Sequence, residues 1–267
     1  MKAWPASRRC AANAIYFVAA ALLMSPVMAS AQLKVIISGG FSGPYEELLP
    51  EFQRTSGIKI TTGSGASQGS GPQTIAAQLA SGAPFDVVIM SREGLSDLIA
   101  ANRIAPGTDV DLARTPLGIA VRKGAAKPDV STIEAFKEAM LKANTIAVPG
   151  STSGIFLMKD VFPRLGIADQ VKVKATPRGS GATAMVASGE ADIAVMPVSE
   201  IVHAQGVDYA GKIPEEIQLN QIFAAAVVAG SKEVEAAQRL IAFLASDQAA
   251  ATIHRGGMEP LGNRARR

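Results

Sequence analysis

Apolar and polar positions along this chain fall into alternating blocks of strand length and helix length. Leu33–Ile37 has the length and β-branched content of a buried strand. It meets Ser38-Gly39-Gly40-Phe41-Ser42-Gly43, and Pro44, suited to a first helical turn, opens a helix to about Thr55. Ile58–Thr61 predicts a second strand, Gly63–Gly71 a loop reading GSGASQGSG, and Pro72–Ser81 a second helix. Phe85–Met90 predicts a third strand, Ser91-Arg92 a turn, and Gly94–Asn102 a third helix. Such alternation is the pattern of parallel strands joined by crossover helices. Ligands then bind beyond the carboxyl ends of the strands, where the Gly/Ser loops lie.

The pattern returns further along. Thr115–Arg122 predicts a strand and Thr132–Ala143 a helix. Thr145–Leu157, reading TIAVPGSTSGIFL, is the clearest unit: a strand to Val148, a Pro149-Gly150 break, the hydroxyls of Ser151, Thr152 and Ser153, then Gly154 and a helix to about Leu165. First-turn N–H groups lack intrahelical partners and the helix dipole leaves about half a positive charge there, so this unit suits a negative oxygen without any lysine. Val171–Ala175 (strand), Arg178-Gly179-Ser180-Gly181 (loop) and Ala182–Ser188 (helix) repeat the logic. So do Ile193–Met196, Pro197-Val198-Ser199 and a short helix at Glu200–Ala204. A last strand at Gln221–Ala229, helices at Glu233–Ala245 and Asp247–His254, and a Gly- and Arg-rich tail complete the chain. The expected fold is α/β, with two lobes facing across a ligand cleft, each a largely parallel sheet flanked by helices.

Residues 1–31 change the picture of charge. Lys2, Arg8 and Arg9 precede an apolar run at Ala11–Met24, and Ala29-Ser30-Ala31 is a small-x-small cleavage site, so the segment is expected to be a cleavable signal peptide. These three unopposed cations account for the whole formal charge of +3, so the basic balance does not argue for nucleic acid. Cys10 and Trp4 are the sole residues of their kinds and leave with the signal. The exported chain must therefore hold together by its core, without disulfides.

The candidate chemistry is mostly polar and neutral. Gly63–Gly71 lacks the Gly-Lys-Ser/Thr ending of a Walker A loop, and Gly179–Ala184 fits the dinucleotide pattern G-x-G-x-x-A only loosely. Gly150–Gly154 has Thr152 where a nucleophile elbow needs serine, and His203 and His254 do not follow strands as a triad base should. No cluster has metal-ligand spacing, so neither metal nor cofactor is expected. Arg92 and Arg178 follow strands and could clamp a carboxylate, or simply face solvent. Glu200 suits a first helical turn and, if buried beside a ligand, could act as a general base.

In order and spacing, Ser38-Gly39-Gly40-Phe41, the Gly63–Gly71 loop, Ala83–Ile89 (APFDVVI), Ser153-Gly154-Ile155-Phe156 and Ser188–Ile193 (SGEADI) resemble the type II periplasmic solute-binding proteins. Specifically, they look like the molybdate-binding-like branch of ABC importer receptors. The resemblance implies an oxyanion held by hydroxyls and N–H groups at Ser38 or Gly39, Ser64 or Ser67, Ser153, and the Ser180-Gly181 turn. With neighbours Gly40, Phe41, Gln68, Ser91, Arg92, Ser151, Thr152, Gly154, Arg178, Pro197, Ser199 and Glu200, these form the candidate ligand site. The resemblance also implies crossing segments near Thr115–Val121 and Gln221–Val227, giving lobes of residues 32–116 with 224–267, and 117–223. A single chain serving ABC importer membrane subunits in the periplasm is expected. Pro197 stands where molybdate binders carry a tyrosine, which argues against molybdate or tungstate, and the two arginines near the loops, Arg92 and Arg178, would suit a larger, carboxylate-bearing anion. The same branch resembles exported aconitate isomerases, so an enzyme shifting an allylic proton is the alternative.

Overall fold

The computed structural model describes residues 32–262 and Met1; the expected signal peptide lies outside the described residues. Strands β1 (Gln32–Ile37), β2 (Lys59–Ser64), β3 (Val87–Ser91) and β4 (Val110–Thr115) come first, interleaved with helices α1 (Ser42–Ser56), α2 (Ile75–Ala80) and α3 (Arg92–Ala100). The middle of the chain holds β5 (Leu117–Arg122), α4 (Ile133–Lys142), β6 (Ile146–Pro149), α5 (Thr152–Phe156), α6 (Phe162–Arg164), β7 (Val173–Thr176), α7 (Gly179–Ser188), β8 (Ile193–Pro197) and β9 (Val207–Lys212). Then come β10 (Gln221–Val227), α8 (Val234–Leu244), α9 (Asp247–Arg255) and β11 (Glu259–Pro260). Between α5 and α6 the helix widens into a π-type turn at Leu157–Val161.

These strands form two sheets, in the orders β11-β4-β10-β3-β1-β2 and β7-β6-β8-β5-β9. Both are mixed. β1 is parallel to β2 and β3, and β6 to β7 and β8. β10 runs antiparallel between β3 and β4, and β5 antiparallel between β8 and β9. The sequence pattern did not predict β4 or β9. Pro116 splits the apolar run Thr115–Arg122: it has no N–H to give a ladder, and here the chain leaves one sheet for the other. The return falls in residues 213–220, ahead of the expected Gln221–Val227, because all of that segment is strand in the first sheet.

Period-two burial builds each core. In β1, Leu33, Val35 and Ile37 face α1, α8 and α9, while Ile36 faces the cluster of α2 and α3. In the second sheet, Ile146, Val148, Ile193 and Val195 join Phe136, Leu157 and Phe162 on one face, while Ala147, Ala194 and Met196 meet Ala182 and Val186 of α7 on the other. Sheets covered on both faces leave only loops to meet a solute.

Candidate functional site

The carboxyl ends of β1, β2, β6, β7 and β8 converge between the sheets. The cavity there has a volume of about 20 Å³ and is lined by Ser38, Gly39 and Gly40 after β1, Gly65, Ala66 and Ser67 after β2, and Ser151 and Ser153 after β6. Pro177, Arg178 and Gly179 after β7, Glu200 after β8, and Gln221 and Phe223 of β10 close it.

Polar groups here are buried without partners. Ser38 Oγ, Arg178 Nε and Gln221 Oε1 have no hydrogen bond, and neither does Ser199 Oγ beside Glu200. Each buried polar group left unpaired costs about 1–3 kcal/mol. Three such groups around one cavity make it the candidate site for a polar solute. Ser38 and Ser153 are almost fully buried and aligned with N-terminal turns at Gly39–Phe41 and Thr152–Phe156.

Glu200 is the one carboxylate of the lining. A Cβ built at Gly39 or at Gly179 would overlap its Oε2, so both positions need glycine for the side chain to lie where it does. The side chain is half-buried, and no protein hydrogen bond or ion pair reaches its carboxylate among the described residues. Desolvation therefore dominates and pushes it up to about 7, with the Arg178 charge pulling the other way. A 320 Å³ pocket on the outer side, lined by Ser180, Ser199, Glu200 and His203, connects the same carboxylate to solvent.

Other expected site residues do different work. Gln68, Ser91, Ser151 and Thr152 join the lobes: Gln68 N–H donates to Ser151 Oγ at 3.3 Å, Thr152 Oγ1 donates to Gln68 Oε1 at 3.0 Å, and Ser91 and Thr152 share a 2.8 Å bond. Ser67 Oγ accepts from the Ser91 N–H at 2.9 Å. Arg92 is absent from the cavity lining. Its guanidinium is gripped by Asp109, at 2.7 Å, and by Asp111, so a ligand clamp is not what occupies it. Ser64 is exposed at the end of β2, and Phe41 lies in the core of the first sheet. Gly154 packs under the Pro149 carbonyl, Gly181 against Thr176, and Pro197 ends β8 beside the lining. Ser180 faces the outer pocket. Gln221 and Phe223 were not anticipated: a lone glutamine opening an apolar strand carries no sequence signal.

Two mixed α/β lobes meeting across a cleft, with the site at the strand ends, define a periplasmic-binding-protein fold. The chain belongs to the family of bacterial extracellular solute-binding proteins, whose family model matches residues 33–259. It is 36% identical to an aconitate isomerase from Pseudomonas sp over 251 residues, 91% of this chain and 94% of that one. It is 23% identical over 206 residues to the molybdate-binding protein of Escherichia coli strain K12, covering 74% and 78%. Among solved structures it resembles the periplasmic molybdate-binding protein of Azotobacter vinelandii, with a TM-score of 0.67, 22% identity, and 85% and 98% of the two chains covered.

Proposed function

We propose that this protein captures a small carboxylate-bearing anion between its lobes for delivery to an ABC importer, after export to the periplasm through the signal segment at 1–31. The carrying observation is the convergence of the unpartnered Ser38 Oγ and Arg178 Nε, with Ser153, on one buried cavity. Neutral hydroxyls and N–H groups replace the hydration shell of the anion, and Arg178 adds one fixed charge. The molybdate-binding relative supports an anion site in general. The cavity is far smaller than any polycarboxylate, so entry requires the lobes to part.

A thermal-shift panel tests this reading: molybdate, sulfate, citrate, tricarballylate and both aconitates against the exported chain. At 100-fold excess over Kd a ligand adds about 2.7 kcal/mol of stability. Stabilisation by carboxylates and not by molybdate is the expected result. Stabilisation by molybdate alone would sink the carboxylate assignment.

A second reading is favoured by Glu200 and by the aconitate isomerase relative. A carboxylate near neutrality, held beside a cationic clamp, suits removal of an allylic proton and its return to the other end of the three-carbon unit. Incubating cis- or trans-aconitate with the protein and following both isomers by proton NMR separates receptor from enzyme.

A further inference from the structure

We propose that Glu200 makes anion capture proton-coupled: the polycarboxylate enters together with one proton, held on the Glu200 carboxyl and donated to a ligand oxygen. This rests on the carboxylate reading above. The cavity gives the argument its geometry. Its lining contributes donors for an anion at Ser38, Ser153 and Arg178, yet it also holds the half-buried Glu200 carboxylate, to which no protein group donates among the described residues. An ionised Glu200 beside an arriving polyanion would place like charges together in a confined space. One proton removes that repulsion and turns Glu200 from an acceptor into a donor.

The surroundings leave few other groups for that proton. Arg178, at the start of α7, is a fixed cation. The turn at Gly39–Phe41, the start of α1 (Ser42, Gly43) and β10 (Gln221, Phe223) present only neutral groups to Glu200. On its own segment, His203 lines the outer pocket, with Nε2 3.1 Å from the Arg255 carbonyl oxygen. That outer pocket gives the proton a route that does not pass through the ligand. Partial desolvation of this half-buried side chain supports the same conclusion, since it already pushes Glu200 up to about 7 before any ligand arrives.

Calorimetry of tricarballylate binding, in two buffers of different ionisation enthalpy, tests the coupling. Tricarballylate is saturated and has no allylic proton to shift, so binding is read without turnover. Near pH 8, wild type should take up about one proton per ligand, and affinity should fall about tenfold for each pH unit above 7. Glu200→Gln should bind with no uptake and with affinity nearly flat in pH, while His203→Gln should keep the uptake. Binding by wild type without proton uptake would overturn the coupling and leave the carboxylate reading standing, even if Glu200→Gln proved unfoldable. Uptake that survives in Glu200→Gln would also overturn it. If wild type binds neither tricarballylate nor citrate at any pH, the carboxylate reading fails and the coupling with it.

Discussion

The position of Glu200 has a cost that can be measured with no ligand present. Its folded carboxyl titrates near 7, against an ordinary 4.5. Between those values the folded protein keeps a proton that the unfolded chain has released, so stability falls as pH rises through this window. The full loss is on the order of 3 kcal/mol at most. Urea unfolding at pH 5 and pH 8 should show wild type losing stability across the interval relative to Glu200→Gln. Equal losses in the two proteins would mean that Glu200 is solvated. Ser153→Ala should weaken anion binding by about 1–2 kcal/mol with the fold intact. Arg178→Ala should cost on the order of 2 kcal/mol or more, because a charge-assisted bond is lost; calorimetry reads both. Ser38, Ser153 and Arg178 were legible because each follows a predicted strand. Gln221 was not: its significance depends on β10 joining β3 and β4, which no local pattern announces. Arg92 misled for the same reason. The acidic residues that hold it, Asp109 and Asp111, lie at β4, and the sequence pattern gave no strand there.

Among the elements, the units of β1, β3, β6 and β8 were readable because those strands are buried on both faces, and the exposed edge strands β2 and β7 because a Gly- and Ser-bearing loop and a helix follow each. β4 and β9 escaped because they pair antiparallel, so they have no crossover helix to mark them. The N-terminus of α5 does something sequence alone could not suggest. Its Thr152 hydroxyl reaches across to Gln68 after β2 and to Ser91 at the start of α3, tying the closed lobes together. Thr152→Val keeps the shape and removes both bonds, at a cost to the closed state of about 1–2 kcal/mol. Small-angle scattering of the ligand-free variant should report a larger radius of gyration than wild type. An unchanged radius would mean that other contacts hold the lobes.

At the scale of the molecule, the strand order sets a timetable for synthesis. β10 is an interior strand of the first sheet, bonded to β3 on one side and β4 on the other, yet it follows the whole second sheet in the chain. The second sheet is contiguous, from Leu117 to Lys212, and can close as soon as it has emerged. The first must wait, with β3 bonded on one side to β1 alone and β4 to no earlier strand, until nearly the end of translation, exposing edges that invite pairing with other chains. A polypeptide released before Gln221 would therefore keep its middle and lose its beginning, although the beginning was made first.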